Sequence, residues 1–319
     1  MAAILSLGIA IADADAGQGV ESFDAAGVSA VVADVADAVA REYFDAAAGR
    51  RIAEAIRQHL REGRYAAPLA PRALAGALTR DLYAASADKH LSVTMQQTAG
   101  GGTAPPGSRA DGVERTNGGV ARAEVGDDGI GYLNLTQFWR PDEVREILAA
   151  TMRALAPAKA LIVDLRQNSG GSPETVAFLL GYFFDQASLP LFDIVPRQGA
   201  KTSYTTPAAL AEGYDARRPV FVLTSARTFS AGEGLAYLLQ ERQRATIVGE
   251  RTAGAANPGR PLAVRGGLDV TVPNGYVRSA IRGGNWEGAG VAPDVPAAAD
   301  AALDVATTAA RAAVRGGRL

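Results

Sequence analysis

Residues 160–171 read ALIVDLRQNSGG, and the fold turns on how they are read. The first six form a short apolar run, of the length and β-branched content of a strand buried on both faces. Two adjacent glycines follow where a helix is due to begin. Outward from this point, PVFVLT at 219–224 and Ala245–Val248 repeat the buried-strand pattern. Helical spacing covers Pro141–Leu155, Thr175–Phe184 and Ala231–Gln243. Upstream, Ala121–Val125 and Ile130–Leu135 form a hairpin-like pair around Gly126–Gly129. Downstream, Leu268–Val272 and Gly275–Ala280 flank the turn signal Pro273-Asn274, which predicts a second hairpin. Strands alternating with helices imply an α/β domain with a largely parallel central sheet.

The N-terminal third has a different texture. Val28–Tyr43, Arg50–Arg61 and Ala67–Ala85 carry apolar residues at helical spacing, which predicts a three-helix unit. The stretch Ala99–Gly119 is dense in Gly, Pro, Ser and Thr and reads as a linker. Before the helices, MAAILSLGIAIADADAGQ has the apolar run and small-residue spacing of a secretory signal without its basic start. Export and a cytoplasmic location fit the sequence about equally. The alanine-rich last 25 residues predict a terminal helix.

Composition removes whole classes of chemistry. There is no cysteine, so disulfides, thiolate nucleophiles, Fe–S clusters and thiolate zinc sites are excluded together. Two histidines, His59 and His90, leave no multi-histidine metal site. No metal or other cofactor is expected. Thirty-two basic residues against 34 acidic ones give a charge of -2 with no basic block, which disfavours a nucleic-acid face. No apolar run is long enough for an integral membrane helix.

In an α/β sheet, sites gather at the carboxyl ends of the strands. After ALIVDL come Arg166, Asn168, Gly170 and Gly171. The paired glycines could present free backbone amides to an anion, or simply make a turn that needs positive φ. After PVFVLT comes SARTFSAGE, with Ser230 at the mouth of a helix. The position suits a nucleophile, and it equally suits an N-cap, since Glu233 stands three residues on. The surroundings are not a Gly-x-Ser-x-Gly elbow, because Thr228 occupies the first glycine position, and no Ser-x-x-Lys pair begins at Ser225 or Ser230. A serine needs a base. His59, within RQHLRE, reads as a surface residue. His90 ends the helical unit in SADKHLSV, where the chain changes direction, and by itself it too reads as an ordinary surface histidine.

Five blocks, in order and spacing, resemble the S41 serine peptidases: TNGGVARAEVGDDGIGYLNLTQF, ALIVDLRQNSGGSPETVAFLLGYFF, TSARTFSAGEGLAYLLQ, VGERTAGAANPG and WEGAGVAPDVP. That family comprises the C-terminal processing peptidases, the tricorn core and the interphotoreceptor retinoid-binding modules. ASADKHLSV and the helices before it are similar to the tricorn and retinoid-binding branch. The resemblance implies a crotonase/ClpP-like core with an N-terminal helical subdomain, and Val93–Val120 is too short for a PDZ domain. The implied division is an N-terminal segment 1–24, a helical subdomain 25–95, a linker 96–119, a catalytic domain 120–300 and a terminal helix 301–319.

The resemblance also assigns roles. Ser230 matches the nucleophile, His90 the base of the tricorn-like branch, and Glu287 its glutamate. The processing-peptidase lysine is absent, since Ala255 stands in its place, and Lys89 replaces the serine that precedes the tricorn histidine. Gly171 or Gly170, with Ala231, would form the oxyanion hole. Asp164, Arg166 and Asn168 would brace the turn, and Thr252 and Gly254 would line the cleft edge. The implied activity is metal-independent hydrolysis of unstructured polypeptides or C-terminal tails through an acyl-enzyme. Two alternatives stay open: a catalytically silent module binding a retinoid or fatty acid, and a hydrolase of small esters or amides.

Overall fold

The computed structural model describes residues 22–96, 109–207, 214–215 and 217–316. Most of the N-terminal segment 1–24, the centre of the linker 96–119 and the last three residues lie outside the described residues, and with them the signal-peptide reading.

A six-stranded mixed sheet forms the centre, in the order β12-β8-β7-β4-β3-β2. Its strands are β2 (Val120–Val125), β3 (Ile130–Leu135), β4 (Ala160–Asp164), β7 (Val220–Thr224), β8 (Thr246–Gly249) and β12 (Val295–Pro296). All neighbours run parallel except β2 against β3, joined by the Gly126–Gly129 turn. The period-2 alternation of β4 explains why it reads as uniformly apolar. Leu161 and Val163 face one core, while Ala160 and Ile162 face another. The first face is covered by α5 (Pro141–Leu155), α6 (Pro173–Leu180) and α7 (Ala231–Glu241). The second is covered by α8 (Ala302–Arg315) through Ala302, Ala306 and Ala310, whose small side chains let the helix sit close.

The helical unit is α1 (Ala25–Glu42), α2 (Ala46–Arg61) and α3 (Pro71–Ser86). Asp24 and Asp45 accept the first free amides of α1 and α2, as N-caps do. A strand that the sequence reading did not foresee, β1 (Ser92–Met95), carries the chain from α3 into a three-stranded antiparallel sheet, β1-β10-β9. Here β9 is Gly259–Val264 and β10 is Leu268–Pro273. Val93 of β1 and Leu268, Val270 and Val272 of β10 share one core with Leu74, Leu78 and Leu82 of α3. A short helix α4 (Arg109–Arg115) lies within the stretch read as linker.

The hairpin expected across Pro273-Asn274 does not form. β10 pairs with β9 and β1, whereas β11 (Gly275–Ser279) pairs with β5 (Pro190–Pro196) in a second three-stranded sheet completed by β6 (Thr202–Thr205). Pro273 has no amide to donate, and the Asn274 amide goes to the Pro258 carbonyl, so the chain crosses from one sheet to another. The expected helix Thr175–Phe184 is also shorter, because the Gly181 amide turns back to the Phe178 carbonyl.

Candidate active site

Four connections converge at the carboxyl ends of the central strands: the turns after β4 and β7, the α3–β1 turn, and the loop between β11 and β12. Ser230 sits where β7 gives way to α7, with φ 51° and ψ −119°. A non-glycine residue held there is strained, and the strain is held by partners. The Ser230 amide donates to the Glu233 carboxylate at 2.8 Å, and the Phe229 amide to the Asn168 carbonyl at 3.0 Å. Small neighbours make room, since a Cβ on Gly170 would come within 2.8 Å of the Ser230 Cβ.

His90 comes from the helical unit, 140 residues earlier in the chain, yet its Nε2 lies 3.1 Å from Ser230 Oγ. Its ring is tilted against that of Phe229, centroids 4.9 Å apart. Asp88, 1% exposed, fixes the turn from behind. Its carboxylate accepts the His90 amide at 2.9 Å and the Tyr43 hydroxyl at 2.9 Å. Burial lowers the His90 pKa to about 4, so the ring rests neutral with a lone pair available.

Glu287 approaches from the β11–β12 loop. Its Oε2 accepts the amides of Ala256 and Asn257 at 2.7 and 3.1 Å. Burial, and then the charge of Asp88, push its pKa up to about 7. Its Oε1 and the Nδ1 of His90 are both buried and without a hydrogen-bond partner among the described residues. The three side chains Asp88, His90 and Glu287 each place a ligand-type atom within 4.8 Å of the others.

The glycine pair divides its work. The Gly170 amide donates to Asn168 Oδ1 at 2.8 Å and is spoken for. The Gly171 amide, at φ 132°, meets no acceptor among the described residues, and neither does the Ala231 amide at the first turn of α7. A Cβ on Gly171 would fall 1.9 Å from the Phe138 carbonyl oxygen, so no other residue fits.

Asn168 is fully buried and also donates through Nδ2 to the Leu135 carbonyl at 3.0 Å, tying β3 to the turn after β4. Asp164 accepts Tyr132 at 2.6 Å and the Arg166 guanidinium at 2.6 Å. Burial opposes its charge, but these bonds hold its carboxyl below the usual range. Arg166 reaches on to the Ala299 carbonyl at 2.6 Å. Thr252 and Gly254 both donate to Glu233, at 2.6 and 2.5 Å, and Ala255 adds a third bond at 2.9 Å. With the Ser230 amide, the buried Glu233 carboxylate therefore gathers four donors from two loops and does more than cap a helix. Ala255 is fully buried, and Lys89 reaches across to the Ala253 carbonyl of the same loop.

Beside Ser230 opens a small pocket of about 50 Å³ lined by Val176, Phe192, Leu238, Val277, Trp286 and small residues including Gly234. It holds no charged side chain. His59 lies far from this group in its contacts, paired with Asp81 at 3.0 Å. Sequence reasoning missed Asp88 and Tyr43. An acid two residues before the histidine, in DKH, was the available signal for Asp88; Tyr43 carries none.

Residues 129–297 match peptidase family S41, and residues 22–115 match the N-terminal domain of peptidase S41 in eukaryotic IRBP. A carboxyl-terminal-processing protease of Synechocystis is 34% identical over 126 residues, 39% of this chain and 28% of that relative. The chain thus matches under a third of this relative's length. A solved protein of Parabacteroides merdae superposes with a TM-score of 0.62 at 16% identity, over 89% of this chain and 96% of the other. The tricorn protease does so at 0.59 and 13%, over 92% and 37%. These structures share the fold, and the family match takes in every strand of the central sheet except β2, together with Ser230 and Glu287. The chain belongs to peptidase family S41.

Proposed function

We propose that the protein is a serine-type endopeptidase that cleaves unstructured polypeptides or C-terminal tails. The observation that carries this is the 3.1 Å contact between His90 Nε2 and Ser230 Oγ, made by two distant parts of the chain beside two free amides. His90 takes the Ser230 proton as Oγ attacks the carbonyl carbon, and the amides of Gly171 and Ala231 receive the developing oxyanion. Each such donor contributes roughly 2.7–4 kcal/mol to the transition state. The imidazolium then forms in a group with Glu287, whose Oε1 is buried and uncommitted. As the tetrahedral intermediate collapses, the proton passes to the leaving amine, and water hydrolyses the acyl-enzyme by the same route in reverse. The uncharged pocket beside Ser230 suits an aliphatic side chain on the acyl side of the scissile bond.

Asp164, Arg166, Asn168, Thr252 and Gly254 hold these loops without touching substrate. We read the core as crotonase/ClpP-like and the chain as working without a PDZ domain, since the interval between Met95 and Arg109 is too short to hold one. The division into a helical subdomain 25–95 and a catalytic domain 120–300 belongs to the same reading. A second reading, silent binding of a retinoid or fatty acid, rests on the match to the N-terminal domain of the IRBP branch. Hydrolysis of small esters or amides would use the same serine. The test is a mixed pool of unstructured peptides, read by mass spectrometry with the wild type and Ser230→Ala. Cleavage by the wild type alone is expected. Equal cleavage by both, or none by either while both stay folded, overturns the reading.

A further inference from the structure

The group around His90 holds one buried and one part-buried carboxylate, Asp88 and Glu287, with no cation. Among the described residues no arginine or lysine pairs with Asp88 or Glu287, and the adjacent basic chain, Lys89, is committed to the Ala253 carbonyl. A carboxylate held out of water is paired, takes up a proton or binds metal. The atoms facing one another are a carboxylate oxygen of Asp88, a ring nitrogen of His90 and a carboxylate oxygen of Glu287, all within 4.8 Å. Nε2 is engaged with Ser230, so the free nitrogen is Nδ1.

What distinguishes this group from a chance cluster is that hydrogen bonds already orient all three side chains, with His90 Nδ1 and Glu287 Oε1 left free. Asp88 is held at both oxygens, Oδ2 by the Tyr43 hydroxyl and Oδ1 by the His90 amide, and would ligate through a remaining lone pair. Glu287 is held through Oε2 by the Ala256 and Asn257 amides, which leaves Oε1 as a single free ligand atom. His90 is held through Nε2 by Ser230 Oγ. Hydrogen-bonded outer partners of this kind orient metal ligands and fix the histidine tautomer. One nitrogen and two carboxylate oxygens, with water as a fourth ligand, suit Zn²⁺. Bonds of about 2.1 Å in a tetrahedron put ligand atoms about 3.4 Å apart, so the widest pair must close by roughly 1.4 Å at most.

We propose that Asp88, His90 and Glu287 form a Zn²⁺ site behind the histidine. The ion takes the Nδ1 lone pair, which leaves the ring's proton on Nε2, pointing at Ser230. A ring in that state cannot accept the serine proton, so the ion acts as an inhibitor rather than a cofactor. Substrate approaches from the Ser230 side, and inhibition is therefore noncompetitive. The inhibitory part rests on the peptidase reading above; the binding part does not.

The test is titration of the EDTA-stripped full chain with Zn²⁺ by calorimetry, and with Co²⁺ by visible absorption. With two histidines and no cysteine in the chain, a nitrogen-ligated Co²⁺ spectrum has only two sources, His90 and His59. One equivalent is expected to bind and raise Tm. Glu287→Gln and Asp88→Asn should each weaken binding at least tenfold, and His59→Gln should leave it unchanged. Should Asp88→Asn fail to fold, Glu287→Gln, whose side chain can still accept the two amides, decides alone. Absence of saturable binding overturns the proposal, as does binding that depends on His59. Zn²⁺ binding by a chain that cleaves no peptide even when EDTA-stripped would refute the peptidase reading and leave the site standing; cleavage indifferent to bound Zn²⁺ would refute the inhibition.

Discussion

At the scale of single residues, a neutral imidazole, His90, stands with a strained serine and two carboxylates. Burial lowers His90 to about 4, while burial and Asp88 raise Glu287 to about 7, so the cluster holds its last proton as a unit. In EDTA-treated protein, kcat/KM is expected to rise with pH through about 7. In Glu287→Gln the rise should move toward the His90 value, with a plateau roughly 10²-fold lower. Persistence of the rise near 7 in the variant would contradict this. Stability should follow with a definite sign. The folded value of Glu287 lies above the ordinary glutamate value of 4.5, so its contribution is fully present below 4.5 and lost as pH rises through about 7. The Tm of Glu287→Gln relative to wild type should therefore increase between pH 5 and pH 8. Ser230 and His90 were legible through family-like blocks. The Asp88–Tyr43 clamp was not, because nothing local in a sequence reveals which distant hydroxyl a carboxylate meets.

At the scale of elements, the turn after β4 is held by one amide side chain. Asn168 connects the Leu135 carbonyl, the Gly170 amide and, through its own carbonyl, Phe229 beside the nucleophile. Asn168→Ala leaves a buried carbonyl and a buried amide unpaired, at about 1–3 kcal/mol each. The expected result is a folded protein with a lower Tm and a kcat that falls more than KM rises. Unchanged kcat would show that the turn keeps its geometry without this brace. The strands β4 and β7 and helices α5 and α7 were readable, because burial on both faces and helical periodicity leave strong marks. The β5–β6 pair and the jump from β10 to β11 were not readable. A proline-asparagine turn looks the same whether the flanking strands pair with each other or leave for different sheets.

At the scale of the molecule, His90 and Ser230, the proposed base and nucleophile, ride on different cores. His90 lies between α3 and β1, which pack with β9 and β10, while Ser230 belongs to the central sheet. Composition alone suggested a separate helical unit, but the pairing of β1 with β10 ties residues 92–95 to residues 268–271, a contact no local pattern encodes. Leu78→Ala in α3 opens a cavity in the second core, at about 2–5 kcal/mol. Hydrogen exchange should then quicken in α1–α3, β1, β9 and β10, with β4 and β7 still protected and kcat reduced. Equal loss of protection in β4 and β7 would mean that the two cores open as one.

In the proposed mechanism His90 activates Ser230. A fluorophosphonate, which reacts with activated serines, tests it most directly, read by intact mass and peptide mapping. One adduct on Ser230 is predicted for the wild type, and none for Ser230→Ala or for folded His90→Ala. Equal labelling of Ser230 in His90→Ala, or labelling elsewhere in the wild type, would contradict the account.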